Sequence, residues 1–416
     1  MSVCTYIIGD TRDVTATLSD GSVDLVLTSP PFLALRSYLP ADHPDKHREI
    51  GSEPDPAGFL DTLLALTADW RRVLAPHGSI AVELGDTYSG VGGSSTATNP
   101  AYGSTERALA HKAAQPAGSG KGWRKAEDLK RWPLPKSLAL IPELYRIALA
   151  YGINPLTGSA SPAGRWRVRN VVRWVRPNPP VGALGDKFRP ATSDLVIACT
   201  SSTRWFDLDA VREPPQIDRP PASNGPKSKH KESPSTGFGT DAGFDVRINS
   251  HPAGAPPLDW WNIPPGGYSG SHYAVFPPEL CVRPIKAMCP AEVCRTCGEP
   301  RRRIVDARYE AHGSRRDENK GVRGGAGASG EHAQHMTHGR ADKIITTLGW
   351  TDCGHGDYRP GIVLDPFGGS GTTGMVATGH GRDAILIDLD ERNADLARER
   401  IGMFLDVRHH QGEVRS

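Results

Sequence analysis

The sequence predicts an α/β protein with an open, mostly parallel, doubly wound sheet of the Rossmann-like type. Two observations support this fold class. Short apolar runs alternate with segments of helical periodicity, and a glycine-rich turn joins an apolar run to a helix near the C-terminus. With 416 residues, the chain can bury one large core with insertions or form two domains.

Hydrophobic periodicity places the elements in order along the chain. The predicted elements are a strand at 23–28, helix 59–74, strand 79–84, helix 137–151, strands 168–175, 194–200 and 361–364, helix 372–378 and strand 384–388. Pro76-His77-Gly78 is expected to end the first helix. Three segments rich in Gly, Pro, Ser and charged residues, 89–122, 214–257 and 308–342, are predicted to be flexible insertions.

The glycine-rich turn lies between a predicted strand and helix, where doubly wound folds bind nucleotide-like ligands. Its candidate binding residues are Asp365, Phe367, Gly368, Gly369, Ser370, Gly371 and Thr372. Asp388 ends the next strand at close to the roughly 20-residue spacing that lets a carboxylate reach ribose hydroxyls. A triphosphate is disfavoured because the turn contains no lysine. A tight turn that binds no ligand remains an alternative for this motif alone.

A second motif, Ser29-Pro30-Pro31-Phe32, follows the first predicted strand. The prolines hold the backbone extended, which leaves the Pro30 carbonyl free to accept a hydrogen bond. An exocyclic amine of a base is a poor nucleophile because its lone pair is delocalised. If the Ser29 hydroxyl and the Pro30 carbonyl accept its protons, the nitrogen can aim that lone pair at a methyl donor. Phe32 would stack on the base. The alternative is a plain strand terminator with Phe32 in the core.

Taken in order, these motifs resemble those of the amino-group DNA methyltransferases in their circularly permuted arrangement, where the catalytic motif precedes the S-adenosylmethionine motif. The resemblance also covers Asp10, Arg36-Ser37-Tyr38, Leu84-Gly85-Asp86-Thr87-Tyr88, residues 169–179 and residues 271–285. It implies that Asp10 lies near the cofactor adenine and that Phe276 contacts the cofactor. Glu83 departs from the family pattern, in which this position is often uncharged.

The resemblance implies a site-specific DNA methyltransferase that moves a methyl group from S-adenosylmethionine to the exocyclic amine of a flipped base. Ser29, Pro30, Pro31 and Phe32 would form its catalytic loop. The Ser-Pro-Pro form with Phe favours cytosine N4 over adenine N6. Methylation of RNA or of a protein amide is another interpretation, and so is a non-catalytic DNA-binding protein of the same fold. A cytosine C5 enzyme is disfavoured because the chain has no Pro-Cys pair.

The cysteines predict a zinc site. The chain has seven, an odd set with three between residues 289 and 297, which favours a reducing compartment over a disulfide framework. Cys294 and Cys297 form a C-x-x-C knuckle, and Cys353 and His355 offer two more ligands for tetrahedral zinc. Cys289 competes with His355 as the fourth ligand, and free buried thiols are the alternative. The predicted role is structural.

Charge and hydropathy indicate the expected partners. The formal net charge is only +2, so DNA binding must depend on local clusters such as the arginine-rich stretch 165–189. That stretch could equally be a strand with a solvated face. Segments 121–136 and 212–261 are candidates for target recognition. The expected partners are double-stranded DNA and a cognate restriction enzyme. No apolar run of about 18 residues and no leader pattern occur, which predicts a cytoplasmic protein without membrane contact.

The motifs divide the chain into seven predicted segments. These are 1–88 with the catalytic motif, 89–136 as a flexible insertion, 137–211 with core strands and a DNA-facing segment, 212–261 for target recognition or linkage, 262–288 contacting the cofactor, 289–357 with a small zinc knuckle and low-complexity insertion, and 358–416 binding S-adenosylmethionine.

Overall fold

A computed structural model of the chain describes residues 2–35, 37–40, 42–89, 131–179, 186–213, 254–265, 276–311 and 341–410. The strands are β1 Cys4–Ile8, β2 Val23–Thr28, β3 Leu74–Leu84, β4 Arg167–Val175, β5 Thr192–Cys199, β6 Trp260–Asn262, β7 Glu292–Cys294, β8 Arg303–Ala311, β9 Ala341–Trp350, β10 Tyr358–Pro360, β11 Ile362–Asp365, β12 Asp383–Asp388 and β13 Leu405–His409. The α-helices are α1 Thr11–Thr17, α2 Pro56–Val73, α3 Ile141–Tyr151, α4 Pro278–Met288, α5 Thr372–Gly379 and α6 Arg392–Ile401.

Nine of these strands form one sheet in the order β13-β1-β12-β11-β2-β3-β5-β4-β6. β5 is antiparallel to both of its neighbours, and the other neighbouring pairs in this sheet are parallel. The predicted α/β class with a mostly parallel sheet is therefore confirmed. The predicted insertions lie mainly outside the described residues, although β8 and β9 reach into both ends of 308–342.

The direction of winding reverses between β11 and β2. α2 links β2 to its neighbour β3 on one side, and α5 links β11 to its neighbour β12 on the other. Because such crossovers are almost always right-handed, the two helices are expected on opposite faces of the sheet. A reversal of this kind opens a crevice outside the carboxyl ends of the strands, where doubly wound folds bind ligands.

The main core lies between the sheet and the packed helices α1, α2 and α3. Asp55 caps α2 by accepting a hydrogen bond from the Gly58 N–H at 2.8 Å, and Pro56 starts the first turn. The buried hydroxyls of Thr67 and Tyr145 lie 2.8 Å apart and join α2 to α3. None of the helices that the structure describes is both long and apolar enough to cross a bilayer.

The predicted end of the first helix at Leu74 is confirmed to within one residue, but Pro76-His77-Gly78 is not a break between that helix and the next strand. α2 ends at Val73, and β3 begins at Leu74 and runs through all three residues. A residue before proline favours extended backbone, which suits continuation as a strand. A register shift in the pairing of β2 with β3 accommodates the extra residues.

The prediction of a helix from residue 137 was wrong at its start. The structure begins α3 at Ile141, after Leu140 in the left-handed region at φ 62°. The Asp86 carboxylate accepts hydrogen bonds from the Leu140 and Ile141 N–H groups at 3.0 and 3.2 Å. An acceptor distant in sequence therefore supplies the cap, which helical periodicity does not reveal.

The chain divides into two compact units. One comprises Met1–Ala210, Leu258–Arg302 and Asp352–Ser416 and contains the nine-stranded sheet. The other comprises Val211–Pro257 and Arg303–Thr351, and its described part includes the antiparallel pair β8–β9. Periodicity did not predict this pair, nor did it predict β1, α1, α4, α6 and β13.

A buried carboxylate fixes the amino-terminal end of β2. Asp24 is fully buried and accepts hydrogen bonds from Arg359 at 2.6 Å and from the Ile362 N–H at 2.7 Å, and it lies 2.9 Å from the His77 ring. Burial favours the neutral acid, but His77 and Arg359 lower the pKa of Asp24 below its ordinary value. The ion pair therefore joins β2 and β3 to β10.

Replacing Arg359 with alanine is expected to lower the free energy of unfolding by about 3 kcal/mol, because it leaves a buried carboxylate short of its cationic partner. The control is Arg408→Ala, since Arg408 and its partner Asp406 are 65% and 47% exposed. That change should cost less than about 1 kcal/mol. Guanidinium denaturation followed by tryptophan fluorescence measures both, and equal effects would contradict the assignment.

Candidate functional site

A cavity of about 470 Å³ lies at the carboxyl ends of the strands next to the reversal in winding. It brings together most of the residues that the sequence singled out. Those lining it are Asp10, Ser29, Pro30, Pro31, Phe32, Phe276, Phe367, Gly368, Gly369, Ser370, Thr372 and Asp388. Asp365 and Gly371 are not among the lining residues and lie behind the wall. The predicted cofactor segment is described only from Phe276 onward, because residues 271–275 and also Arg36 lie outside the described residues.

Asp365 connects the two motifs. Its buried carboxylate accepts hydrogen bonds from the Thr28 hydroxyl at the end of β2, at 2.7 Å, and from the Thr373 hydroxyl in α5, at 2.6 Å. The Phe367 N–H donates a third, at 3.1 Å. Burial raises the pKa of Asp365, and these hydrogen bonds offset part of that rise. This carboxylate therefore positions the glycine-rich turn against the Ser-Pro-Pro-Phe loop.

Close backbone packing explains two glycines in the turn. A Cβ on Gly368 would lie 2.8 Å from the Leu386 Cβ in β12. Gly371 adopts φ +80°, and a Cβ there would lie 2.9 Å from Ala397 in α6. The turn can therefore sit directly on its neighbours and leave its other side to the cavity.

Asp388 faces this turn from the end of β12. Its carboxylate accepts hydrogen bonds from the N–H groups of Gly369 at 2.8 Å and Asp390 at 2.9 Å, and from the Asn393 side chain at 3.1 Å. Burial raises the pKa of Asp388 to about 6. The ionised form therefore predominates only above mildly acidic pH.

Asp10 and Thr11 form the opposite wall at the end of β1. Asp10 pairs with Arg12 at 2.6 Å and with Arg48 at 2.8 Å. Burial acts to raise the pKa of Asp10, but the hydrogen bonds and charges of these arginines lower it below its ordinary value. The buried Thr11 hydroxyl has no hydrogen-bond partner among the described residues. It is a polar atom that a ligand in the cavity could satisfy.

Ser29 has a carboxylate partner. Its hydroxyl donates a hydrogen bond to Glu83 Oε2 at 2.5 Å, from the end of β2 to the end of β3. Glu83 is 4% exposed, and burial raises its pKa, while hydrogen bonds from Ser193 and Ser29 and the charge of Arg176 oppose that rise. Because the Ser29 proton points to Glu83, the oxygen lone pairs remain available to accept a hydrogen bond from the cavity.

The Phe32 ring packs against the backbone of Gly85. A Cβ on Gly85 would lie only 2.5 Å from the Phe32 ring, so any larger residue would displace that ring. The loop is held further by a hydrogen bond of 2.7 Å from the Ala34 N–H to the Gly51 carbonyl. Phe32 therefore presents a supported aromatic wall to the cavity rather than filling the core.

Trp174 and Arg176 close the cavity from the end of β4. The Arg176 guanidinium lies 4.9 Å from the centre of the Trp174 ring, and the Trp174 indole N–H donates to the Ile263 carbonyl at 2.8 Å. Arg176 therefore brings the middle of the arginine-rich stretch to the site. Arg167 and Arg169 lie toward the other end of the nine-residue strand, about 20 to 25 Å along it.

Several lining residues were not assigned by the sequence analysis. They are Thr11, Glu83 and Asn393, whereas Trp174 and Arg176 lie within residues 169–179, which the resemblance covers. Thr11 lies just after β1 and Glu83 near the end of β3, so position at a strand end was the available signal for these two, whereas Asn393 lies in the first turn of α6. Glu83 had been noticed only as a departure from a family pattern.

The Cys/His cluster lies around the two-stranded sheet of β7 and β10, ahead of the amino-terminal end of β11. The candidate ligand atoms of Cys294, Cys297, Cys353 and His355 all lie within 4.8 Å of one another. His355 Nδ1 is 3.5 Å from Cys294 Sγ and 3.3 Å from Cys353 Sγ. Hydrogen bonds from His355 and Tyr358 lower the pKa of Cys353 to about 6, which favours its thiolate.

Cys289, the alternative fourth ligand, is fully buried at the end of α4 and is not part of this group. The cluster belongs to the segment ahead of β11, and Pro360 is separated from the start of that strand by one residue. Asp365, next to the cavity, is at the strand's far end. The metal candidate and the cavity therefore lie at opposite ends of β11.

Comparison with known proteins bears on both motifs. Residues 23–292 and 357–399, which include the Ser-Pro-Pro-Phe loop and the glycine-rich turn, match a family described as DNA methylase, the N6/N4 methyltransferases. The type II methyltransferase M.SmaI of Serratia marcescens is 25% identical over 401 residues, which cover 96% of this chain and 90% of that protein. The type II methyltransferase M.XycI of Xanthomonas campestris pv. cyanopsidis is 25% identical over 396 residues, covering 94% and 86%. A solved structure of PvuII DNA methyltransferase (cytosine-N4-specific) superposes with a TM-score of 0.46 at 14% identity, covering 95% of this chain and 86% of that one.

Proposed function

Because the chain belongs to the DNA methylase family of N6/N4 methyltransferases, we propose that it methylates the exocyclic amine of a DNA base, with cytosine N4 as the target and Ser29 and Glu83 at the reaction site. The observation that carries the proposal is the hydrogen bond from the Ser29 hydroxyl to buried Glu83, both of which line the cavity that they share with the glycine-rich turn.

The cavity suits S-adenosylmethionine, which would supply the methyl group from its sulfonium. Its volume falls in the usual range for small-molecule sites. The turn at Gly368 and Gly369 allows close approach of the ligand, Asp388 can accept hydrogen bonds from ribose hydroxyls, and Thr11 offers an unpaired hydroxyl. Asp10 and Phe276 complete the proposed cofactor wall, with Asp365 and Gly371 supporting the turn from behind.

Ser29 and Glu83 would together remove the proton that the amine nitrogen loses on methylation. The Ser29 oxygen accepts a hydrogen bond from the amine, as does the Pro30 carbonyl, which helps the nitrogen lone pair turn away from the ring. When nitrogen gains the methyl group it becomes cationic, and it loses one proton to the Ser29 oxygen while the Ser29 proton passes to Glu83 Oε2. Phe32 would hold the flipped base by stacking, supported by Gly85.

Cytosine N4 is proposed over adenine N6 because the loop reads Ser-Pro-Pro-Phe. The order of the motifs, with the catalytic loop before the cofactor turn, supports a circularly permuted arrangement. The type II designation of the relatives supports a role in restriction and modification with a cognate restriction enzyme in the same cell.

Structural zinc at Cys294, Cys297, Cys353 and His355 is part of the proposal. Ligands about 2.0 to 2.3 Å from a tetrahedral ion lie roughly 3.3 to 3.8 Å from one another. The two distances from His355 Nδ1 to Cys294 and Cys353 fit that range. The ion would stabilise the segment that carries Arg359, which pairs with Asp24.

The proposed function is tested by expressing the chain in a bacterium and sequencing the host DNA with a method that separates N4-methylcytosine from N6-methyladenine. We expect N4-methylcytosine in one sequence context. N6-methyladenine would overturn the choice of base. Finding neither mark in DNA, together with no methyl transfer to RNA or protein acceptors in vitro, would favour the non-catalytic DNA-binding alternative.

Replacing Glu83 with glutamine is expected to lower the single-turnover methylation rate about 100-fold, because glutamine can accept the Ser29 hydrogen bond but cannot take its proton. Ser29→Ala should lose at least as much. Binding of S-adenosylhomocysteine should be unchanged in both variants. The control is Glu292→Gln on β7, an acid that pairs with Arg301 outside the cavity. A Glu83→Gln rate within about twofold of wild type contradicts the proton role.

The raised pKa of Asp388 predicts that cofactor binding depends on pH. With its pKa raised to about 6, its carboxylate is ionised at neutral pH and becomes protonated as the pH falls through about 6. Affinity for S-adenosylhomocysteine is therefore expected to fall between about pH 7.5 and pH 5.5. Asp388→Asn should bind about tenfold more weakly at pH 7.5 with a flatter profile. Calorimetric titration measures both, with Asp406→Asn as the exposed control, and wild-type affinity in Asp388→Asn would exclude this role.

Zinc analysis by mass spectrometry should find about one ion per chain, and chelation should lower the thermal unfolding temperature. His355→Ala should lose the ion and Cys289→Ala should retain it. The reverse pattern would assign Cys289 as the fourth ligand. Absence of zinc from protein prepared with the metal would exclude the site.

A further inference from the structure

Residues 186–190 carry an aromatic side chain that is almost fully in solvent. Phe188 is 98% exposed, in contrast to large aromatics such as Trp70 and Trp205, which are buried. The segment connects β4 to β5. Because β4 runs parallel to β3, which is itself parallel to β2, this connection crosses the same edge of the sheet as the Ser-Pro-Pro-Phe loop.

The backbone around Phe188 is held on both sides. Asp186 pairs with Lys136 at 2.8 Å, and the Lys187 ammonium lies 3.5 Å from the centre of the Tyr88 ring. On the other side, Pro190 lines the cavity. Two residues of chain span at most about 7 Å, so Phe188 is attached close to the cavity mouth. Phe188 is therefore an exposed side chain on a segment whose neighbouring residues are held in place.

The neighbours of Phe188 indicate what it contacts. Lys187 and Arg189 flank it, and both are exposed. An apolar ring between two cations fits a partner that offers an apolar slot bordered by anions. A DNA duplex from which one base has been flipped has that chemistry, because the gap in the base stack is apolar and is bordered by phosphates.

We propose that Phe188 inserts into the DNA base stack at the gap left by the flipped target base, while Lys187 and Arg189 contact the flanking phosphates. The inference rests on the proposed function. Removing a base from the stack loses stacking energy, and an aromatic ring in the gap restores part of it. Phe188 would therefore hold the base in the extrahelical position without touching the reacting atoms.

The test uses Phe188→Ala in the full chain and a duplex oligonucleotide carrying the sequence methylated in host DNA. On the matched duplex the single-turnover methylation rate should fall about tenfold or more. On a duplex whose target base is mispaired, and so already unstacked in part, the rate should return to within about threefold of wild type. Phe188→Trp should retain wild-type rates on both duplexes, and S-adenosylhomocysteine binding should not change in either variant.

Phe206→Ala is the matched control. Phe206 is 41% exposed, and its ring lies 4.5 Å from Arg204, but it follows the end of β5 that pairs with the start of β4, away from the cavity. This variant should match wild type on both duplexes.

An equal loss of rate for Phe188→Ala on matched and mispaired duplexes, or no loss on either, would overturn the insertion. So would unchanged methylation combined with loss of binding to anionic phospholipid vesicles, which would assign Phe188 to a membrane surface. These outcomes are distinct from failure of the proposed function, in which wild-type protein itself would not methylate DNA.

Discussion

The site depends on one buried carboxylate at the reversal in the sheet. Asp365 holds Thr28, the last residue of β2, and Thr373, in the second position of α5, with hydrogen bonds of 2.7 and 2.6 Å. β2 carries the Ser-Pro-Pro-Phe loop and α5 follows the glycine-rich turn. Two loops more than 300 residues apart in sequence are therefore fixed relative to each other by a single side chain. An asparagine there could accept from only one of the two threonines through its carbonyl oxygen.

The sequence was sufficient to predict the elements that depend on local pattern. The strand at 23–28 and the helix beginning at Thr372 were predicted correctly because apolar runs and glycine-rich turns leave a local signature. The start of α3 was predicted wrongly because its cap comes from Asp86, which is distant in sequence. The start of β3 was predicted too late because its first residues depend on pairing with β2. The contact of Ser29 with Glu83 has the same origin, since it joins neighbouring strands rather than neighbouring residues.

Buried carboxylates of the sheet differ in pKa according to their neighbours. Asp10, at the same end of the sheet as Asp388 and Glu83, has a lowered pKa because Arg12 and Arg48 pair with it. At the carboxyl edge, Asp388 and Glu83 have raised pKa values because they are buried beside a cavity. Asp24, at the start of β2, is equally buried but has a lowered pKa because Arg359 and His77 are in contact with it. Burial without a cationic contact leaves a carboxylate able to take up a proton, whereas the paired carboxylate serves mainly to hold strands together.

The position of β1 has a consequence for how the chain folds. This first strand lies between β12 and β13, so that Cys4 is aligned with Ala384 on one side and Leu405 on the other. During synthesis β1 cannot pair with either neighbour until β12 or β13 has been made, and the loss of entropy in closing that long loop precedes any gain from pairing. Pairing of β1 is therefore a late step in the folding of the sheet. A chain released before residue 405 would leave one edge of β1 open to pairing with other molecules.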